Sequence, residues 1–196
     1  MRIVHADERL VVIDKPTGLL SVPGRIEPDC ASARVQALYP DALVVHRLDQ
    51  ATSGLLLFAR GPDAQRELSA DFAERRIGKV YVAVVTGLLE GEGLIDLPIG
   101  ADWPNRPRQQ VDVEHGKPSQ TRWRVLAHEG RHTRVALDPL TGRTHQLRVH
   151  LTALGHAILG DTLYAAPDIA AASPRLLLHA SELHVAGHHF ICPPEF

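Results

Sequence analysis

A short polar stretch, HRLDQATSG at residues 46–54, lies directly before the apolar run of residues 55–59. Polar side chains gathered at the mouth of a buried strand are a common place for a functional site. Asp49 supplies a carboxylate there, and an ionised carboxylate can act as a nucleophile or accept a proton. An isolated Asp among Ser, Thr and Gly residues is nevertheless more often a turn residue or a helix cap. The immediate sequence around Asp49 therefore favours a structural role over a catalytic one.

A second polar cluster is TGRTHQLRVH at residues 141–150. The guanidinium groups of Arg143 and Arg148, near the start of a predicted helix, suit the clamping of a phosphate or the pairing of a carboxylate. The alternative is an ordinary polar helix face with His145 and His150 in solvent. These two histidines are five residues apart, not four as in HExxH, so they do not share a helix face well and a metal site is disfavoured.

A third feature is KVYVA at residues 79–83, where Lys79 and Tyr81 share one face of a predicted strand by the period of two. A tyrosine in this position is more often a half-buried core residue than a catalytic group. Tyr81 alone therefore carries little functional weight.

The hydrophobic pattern predicts the elements that position these clusters. Strands are predicted at residues 3–4, 10–13, 55–59, 79–85, 120–126, 133–137, 175–185 and 188–191. Helices are predicted from Gly61, with Ala64, Leu68 and Phe72 on one face, and over residues 144–154, capped by Thr144 and closed by Gly155. Residues 87–118 are rich in Gly and Pro and are predicted to form turns with one short strand.

Strands interrupted by a few helices, without βαβ alternation, predict an α+β fold with a mainly antiparallel sheet. The 196 residues suit one domain, with two very small domains as the alternative, and 44% hydrophobic with 22% charged residues is typical of a soluble globular protein. The sequence lacks GxGxxG and Walker A motifs, which disfavours nucleotide-cofactor folds. No apolar run reaches membrane-spanning length, and acidic residues near the N-terminus argue against an export signal. Cys30 and Cys192 are accordingly expected to be reduced, and neither belongs to a CxxC motif.

The formal net charge of −2 does not by itself indicate a nucleic-acid-binding protein. The charge is nevertheless uneven, because residues 120–150 carry six arginines against two acidic residues while residues 151–196 carry one arginine against four. A local basic face on a nearly neutral protein can hold phosphates. From charge alone, solvated arginines on strand surfaces are the better interpretation.

Taken together, these clusters resemble the RluA-type family of pseudouridine synthases. The matching segments occur in the family's order and span nearly the whole chain. They are DKPTGL at 14–19, HRLDQATSGL at 46–55, KVYVA at 79–83, TGRTHQLRVHL at 141–151, ALGHAILGD at 153–161 and LLLHA at 176–180. The combination of HRLDxxTSG with a downstream GRTHQLRVH is highly specific, and the one noted departure is Ala157, where relatives often have Pro.

The resemblance implies a single pseudouridine synthase catalytic domain over residues 1–196, with a mainly antiparallel mixed sheet, flanking helices and a central cleft. It implies no N-terminal S4-like domain, because the catalytic pattern begins almost at residue 1. The segments at 102–107 and 116–118 resemble the compact subgroup named for RluA itself. That subgroup implies two RNA substrates, a tRNA anticodon-loop uridine at nucleotide thirty-two and a hairpin-loop uridine of 23S ribosomal RNA.

The resemblance also implies the roles of individual residues and a reaction without cofactor or metal. Asp49 would be the nucleophile, with Arg148 as its ionic partner and Tyr81 stacked against the target base. The substrate-binding set would comprise His46, Arg47, Leu48, Thr52, Arg143, His145, Gln146 and Leu147. A cytoplasmic monomer acting on structured RNA is expected. The alternatives are a synthase for one RNA only, a non-catalytic RNA-binding module, and a metal-dependent hydrolase built on Asp49 and the histidines.

Overall fold

A computed structural model describes all 196 residues, which form two compact units. The first unit comprises Met1–Lys79 with His179–Glu195, and the second comprises Val80–Leu178 with Phe196. Each unit combines a mainly antiparallel sheet with short helices, so the predicted α+β class is confirmed. No helix of the chain is both long and apolar enough to cross a membrane.

The chain contains twelve strands and four α-helices. The strands are β1 (Arg2–Ala6), β2 (Leu10–Lys15), β3 (Ala42–Val44), β4 (Ser53–Arg60), β5 (Gly78–Thr86), β6 (Glu92–Asp96), β7 (Ile99–Ala101), β8 (Gln109–Val111), β9 (Gln120–Glu129), β10 (His132–Pro139), β11 (Leu178–Val185) and β12 (His188–Ile191). The helices are α1 (Ala31–Gln36), α2 (Gly61–Ala73), α3 (Gln146–Ala153) and α4 (Pro167–Ala171), and one 3₁₀ turn covers Trp103–Asn105.

In the first unit the strand order is β1-β2-β4-β11, with β3 beside β4 and β12 beside β11. The β4–β11 pair is parallel and the other pairs are antiparallel. Leu55 and Leu57 of β4 pack with Leu68 of α2 in a buried apolar cluster, which is the packing that the apolar run and the helical pattern require. The strands predicted at residues 3–4, 10–13 and 55–59 and the helix beginning at Gly61 are confirmed, and the first two strands pair as an antiparallel hairpin.

In the second unit the antiparallel strand order is β5-β10-β9-β6, and β7 pairs with β8 separately. The strands predicted at residues 120–126 and 133–137 are confirmed as an antiparallel pair, and both are longer than predicted. The prediction of a single short strand within residues 87–118 was wrong, because β6, β7 and β8 all lie there. These strands have only three to five residues each, too few for an alternating pattern to stand out.

The predicted start of the second helix was also wrong. Thr144 does not cap α3, which begins at Gln146 after His145 in the left-handed region (φ 55°), with no side-chain cap. The preceding turn is held instead by hydrogen bonds of the Gln146 side chain. Leu154, the last residue of the predicted helix, is its C-cap and is exposed, and Gly155 (φ +88°) closes the helix as predicted.

Candidate active site

Asp49 lies half-buried in the loop that connects β3 to β4. Its backbone carbonyl accepts a hydrogen bond from the Thr52 amide at 3.1 Å. On one side of it, the Ser21 hydroxyl donates to the Leu48 carbonyl at 2.7 Å and accepts from the Leu48 amide at 3.0 Å. On the other side, the Gln50 carbonyl accepts from the Gly18 amide at 2.8 Å. The backbone around Asp49 is therefore fixed from both sides by the segment that follows β2.

Lys15 strengthens this attachment from inside the unit. Its side chain is fully buried, and its ammonium group donates to the carbonyls of Pro16 (3.0 Å), Leu19 (2.7 Å) and Gln50 (3.1 Å). A buried ammonium is tolerated only when it is well satisfied, and these three acceptors belong to the two segments that must stay together. The DKPTGL motif thus has a clear physical role, which is to hold the Asp49 loop in place.

Replacing Lys15 by methionine is expected to lower the free energy of unfolding by about 3 kcal/mol, because the carbonyls of Pro16, Leu19 and Gln50 lose their charged donor. Methionine fills a similar volume, so the loss comes mainly from hydrogen bonding. Urea unfolding measures it, with Lys117→Met as the matched control at an exposed lysine. Equal unfolding midpoints for the two variants would show that Lys15 does not stabilise the loop.

Ser53 and Gly54, at the end of the motif, form the start of β4 against β11. The Ser53 hydroxyl lies 2.8 Å from Nδ1 of His179, whose Nε2 lies 2.9 Å from the Cys192 carbonyl. Gly54 has φ +107°, and a Cβ there would lie 2.3 Å from the carbonyl oxygen of Ala180. Only glycine permits both this conformation and this close approach of the two strands. Ser53 and Gly54 are therefore positioning residues for the strand that follows Asp49.

His46 extends the hydrogen-bond ladder of β4 beyond the end of β3. Its Nε2 accepts from the Leu57 amide at 3.0 Å, and its ring stacks on Phe72 with centroids 4.5 Å apart. Burial, together with repulsion from Lys79, lowers the pKa of His46 from 6.5 to about 3. The ring is therefore neutral at physiological pH and serves as a hydrogen-bond acceptor.

The lowered pKa of His46 makes stability fall in acid. Below pH 6.5 the unfolded chain binds a proton at His46, whereas the folded chain does not bind it until about pH 3. The free energy of unfolding is therefore highest above pH 6.5 and decreases as the pH falls toward 3. We expect a contribution of about 1 kcal/mol to the loss of stability between pH 7 and pH 5.5. Denaturant unfolding of the wild type and His46→Gln at both pH values measures it. A pH dependence unchanged in the variant would contradict the assignment.

The other predicted residues of this loop differ in exposure. Arg47 is exposed, whereas Leu48 and Thr52 are buried. The structure thus brings His46, Arg47, Leu48, Asp49 and Thr52 together in one loop of the first unit. Their roles toward a substrate stay predictions.

In the second unit, the turn before α3 is organised by Gln146. Its Oε1 accepts from the Thr141 hydroxyl (2.7 Å) and the Arg143 amide (3.0 Å), and its Nε2 donates to the Gln120 carbonyl (2.9 Å) and the Thr121 hydroxyl (3.0 Å). All four hydrogen-bonding positions of the buried amide are used. This network replaces the N-cap that the sequence analysis assigned to Thr144.

Arg148 lies two residues further along α3, and its side chain is only 4% exposed. Its Nε and Nη2 donate to the two carboxylate oxygens of Asp161 at 2.8 and 2.7 Å. This is the bidentate arrangement that matches a guanidinium fork to a carboxylate, and it fixes the plane of the guanidinium group. The ring of Tyr164 lies 5.0 Å from the Arg148 guanidinium carbon.

Tyr164 also connects the guanidinium to His145. Its hydroxyl accepts from the Gln109 amide at 2.8 Å and lies 2.6 Å from Nδ1 of His145. His145 is half-buried, whereas Arg143 is exposed and donates to the Pro118 carbonyl. The structure thus brings together Arg143, His145, Gln146, Leu147 and Arg148 at the start of α3, and Leu147 is buried there.

His150 does not fit the alternative of a solvated polar helix face. It is fully buried, with Nδ1 2.9 Å from the Thr121 hydroxyl and Nε2 3.0 Å from the Leu97 carbonyl. Burial lowers its pKa below the ordinary value. A neutral ring that donates from Nε2 and accepts at Nδ1 satisfies both contacts, so His150 anchors α3 to the unit.

Tyr81, the remaining predicted catalytic residue, lies on β5 opposite Leu137 of β10. It is half-buried, and Val82 beyond it pairs with Ala136. The β-branched and apolar residues of β5 and β10 thus form the strand pair that carries the tyrosine. Asp49 belongs to the first unit, and Tyr81 and Arg148 belong to the second.

The sequence patterns predicted no role for Lys15, Asp161 or Tyr164. One signal for Lys15 was available, namely a lysine that directly follows a strongly apolar strand. Asp161 and Tyr164 gave no comparable signal, because their contacts with Arg148 join residues 13 or more positions apart. All three lie in or beside segments quoted for the family resemblance.

Comparison with known proteins agrees with this geometry. Residues 9–153 match the model of the RNA pseudouridylate synthase family. The chain belongs to this family, whose members are isomerases that convert uridine to pseudouridine in RNA. It is 52% identical over 93% of its length, and 85% of the relative, to the dual-specificity RNA pseudouridine synthase RluA of Escherichia coli K12. It is 48% identical over its full length, and 97% of the relative, to the protein of that name from Yersinia pestis.

A solved structure gives the same assignment. Human RNA pseudouridylate synthase domain containing 1 superposes with a TM-score of 0.87 at 30% identity, covering 100% of this chain and 84% of that one. The predicted pseudouridine synthase fold and the predicted enzyme class are therefore confirmed.

Proposed function

We propose that this enzyme isomerises two kinds of uridine, one in a tRNA anticodon loop at nucleotide thirty-two and one in a hairpin loop of 23S ribosomal RNA. The observation that carries this proposal is the 52% identity, over nearly the whole chain, to a relative named as dual-specificity. Loops are suitable substrates because flipping an unpaired base costs less than opening a duplex. The exposed Trp103, with the Arg106 guanidinium 3.6 Å from its ring centroid, offers a surface of the kind that stacks on RNA bases.

The proposed reaction breaks the N1–C1′ bond, rotates the uracil and joins C1′ to C5. C5 gives up one proton and N1 gains one, so substrate and product are isomers and no redox partner is needed. Asp49 is the proposed catalytic carboxylate. It acts either as a nucleophile that adds to C1′ and leaves when C5 joins C1′, or as a base that takes the proton from C2′ to give a glycal and returns it when C5 joins C1′. Arg148 is proposed to stabilise the carboxylate, and Tyr81 to stack on the base and assist at C5.

The remaining predicted residues are proposed to bind substrate: His46, Arg47, Leu48, Thr52, Arg143, His145, Gln146 and Leu147. Arg47 and Arg143 are exposed, which suits contact with RNA. The buried members act by shaping the loop and the turn that present the exposed ones. We further propose that residues 1–196 work as one catalytic domain and that the enzyme is a cytoplasmic monomer.

The activity is tested with loop RNA tritiated at uridine C5, incubated with the enzyme in the presence of EDTA. Release of tritium with intact RNA is the expected result. Tight binding without release would indicate a non-catalytic RNA-binding module. Inhibition by EDTA with cleaved RNA would indicate a metal-dependent hydrolase.

The two substrates are tested by mapping pseudouridine in RNA from cells that lack the protein. Loss of both the tRNA and the ribosomal modification is expected, and restoration by the wild-type chain but not by Asp49→Asn is the control. Loss of only one modification would reduce the proposal to a single-substrate enzyme.

A further inference from the structure

We propose that Asp161 is a positioning residue for the reaction, acting through Arg148 and Tyr164. This inference rests on the proposed role of Arg148. Asp161 does not belong to the predicted catalytic set, and its side chain is only 1% exposed. Its importance follows from the number and identity of the donors that converge on its carboxylate.

Four N–H groups bind the two oxygens of Asp161. Oδ2 accepts from Nε of Arg148 at 2.8 Å, and Oδ1 accepts from Nη2 of the same guanidinium at 2.7 Å. Oδ1 also accepts from the backbone amides of Leu163 (3.0 Å) and Tyr164 (3.1 Å). One carboxylate therefore fixes both the plane of a buried guanidinium and the backbone turn that follows it.

The turn matters because it places the Tyr164 ring. That ring lies 5.0 Å from the Arg148 guanidinium carbon, and its hydroxyl binds the Gln109 amide and faces Nδ1 of His145. The Tyr164 hydroxyl accepts from Gln109, so its own proton is available to His145. Asp161 thus sets the orientation of Arg148 directly and that of His145 through Tyr164.

Asparagine at position 161 would keep the shape of the side chain but lose this function. An amide has one acceptor oxygen, and its NH₂ group would face guanidinium N–H donors. The guanidinium would then leave its present plane, and a displacement of about 1 Å in a catalytic group costs on the order of 100-fold in rate. RNA binding through exposed arginines would not change.

The test compares Asp161→Asn, Asp161→Glu and the control Asp41→Asn in steady-state assays with tritiated loop RNA. Asp41 also makes a two-pronged contact, with Nε of Arg60 at 3.0 and 3.1 Å, but on the loop before β3. Asp161→Asn should lose about 100-fold in kcat with an unchanged KM, Asp161→Glu should recover part of that loss, and Asp41→Asn should match the wild type.

Circular dichroism and thermal melting report whether each variant is folded. A folded Asp161→Asn with wild-type kcat would overturn the inference, as would a change confined to KM. If Asp161→Asn does not fold, the kcat of Asp161→Glu tests the inference, because this variant keeps the charge and displaces the guanidinium by about the length of one methylene group. A wild-type kcat in that variant would overturn the inference.

The Asp49→Asn variant separates this inference from the proposed function. If Asp49→Asn is inactive and Asp161→Asn is unaffected, this inference alone is rejected. Full activity of Asp49→Asn would reject the proposed function.

Discussion

Replacing Asp49 by asparagine is expected to abolish pseudouridine formation and to leave RNA binding within about twofold of the wild type. The amide has the same shape as the carboxylate but carries no charge, and it can neither add to C1′ nor accept the 2′ proton. Loss of a nucleophile typically costs at least about 10⁴-fold in rate. Tritium release from loop RNA measures the rate, and filter binding measures the affinity.

The structure explains why this substitution should leave the fold intact. The loop around Asp49 is held through the backbone of its neighbours, by Lys15, Ser21 and the Gly18 amide. Unchanged unfolding midpoints for Asp49→Asn would therefore accompany the loss of turnover. Appreciable residual turnover, above that of a buffer control, would remove Asp49 from the role of nucleophile.

The hydrophobic pattern predicted the longer strands of the fold well, because these strands are strongly apolar or pair with a strand that is close in sequence. Val11, Val12 and Ile13 of β2, for example, are fully buried. Short elements escaped the analysis. The helix α1 has only six residues and is capped by the sulfur of Cys30, which accepts from the Ala33 amide at 3.4 Å, and cysteine is not among the residues that signal a helix start.

The limits for the candidate site were different. The family resemblance selected Asp49, Tyr81 and Arg148 as catalytic residues. Local sequence alone favoured a turn residue for Asp49, a core residue for Tyr81 and a position on a polar helix face for Arg148. Neither approach predicted why the motifs extend so far beyond the reacting groups. Lys15 contacts Gln50, 35 positions away, and Gln146 contacts Thr121, 25 positions away. Contacts of this range are set by the tertiary fold and leave no period in the sequence.

Arg148→Met is the second substitution expected to have a large effect, and the structure separates its two consequences. Turnover should be lost, because the proposed partner of the catalytic carboxylate is removed. Stability should also fall, by about 3–5 kcal/mol, because the carboxylate of Asp161 stays buried without its guanidinium.

The double variant Arg148→Met/Asp161→Asn distinguishes the two effects. Replacing both partners removes the unpaired charge, so much of the lost stability should return, since a buried ion pair contributes little net stability compared with neutral partners. Turnover should not return, because no guanidinium is present to act on the reacting carboxylate. Urea unfolding and tritium release on the same preparations measure the two quantities. Recovery of both together would mean that Arg148 serves the fold alone. Recovered stability with turnover well below that of Asp161→Asn alone would assign Arg148 to the reaction.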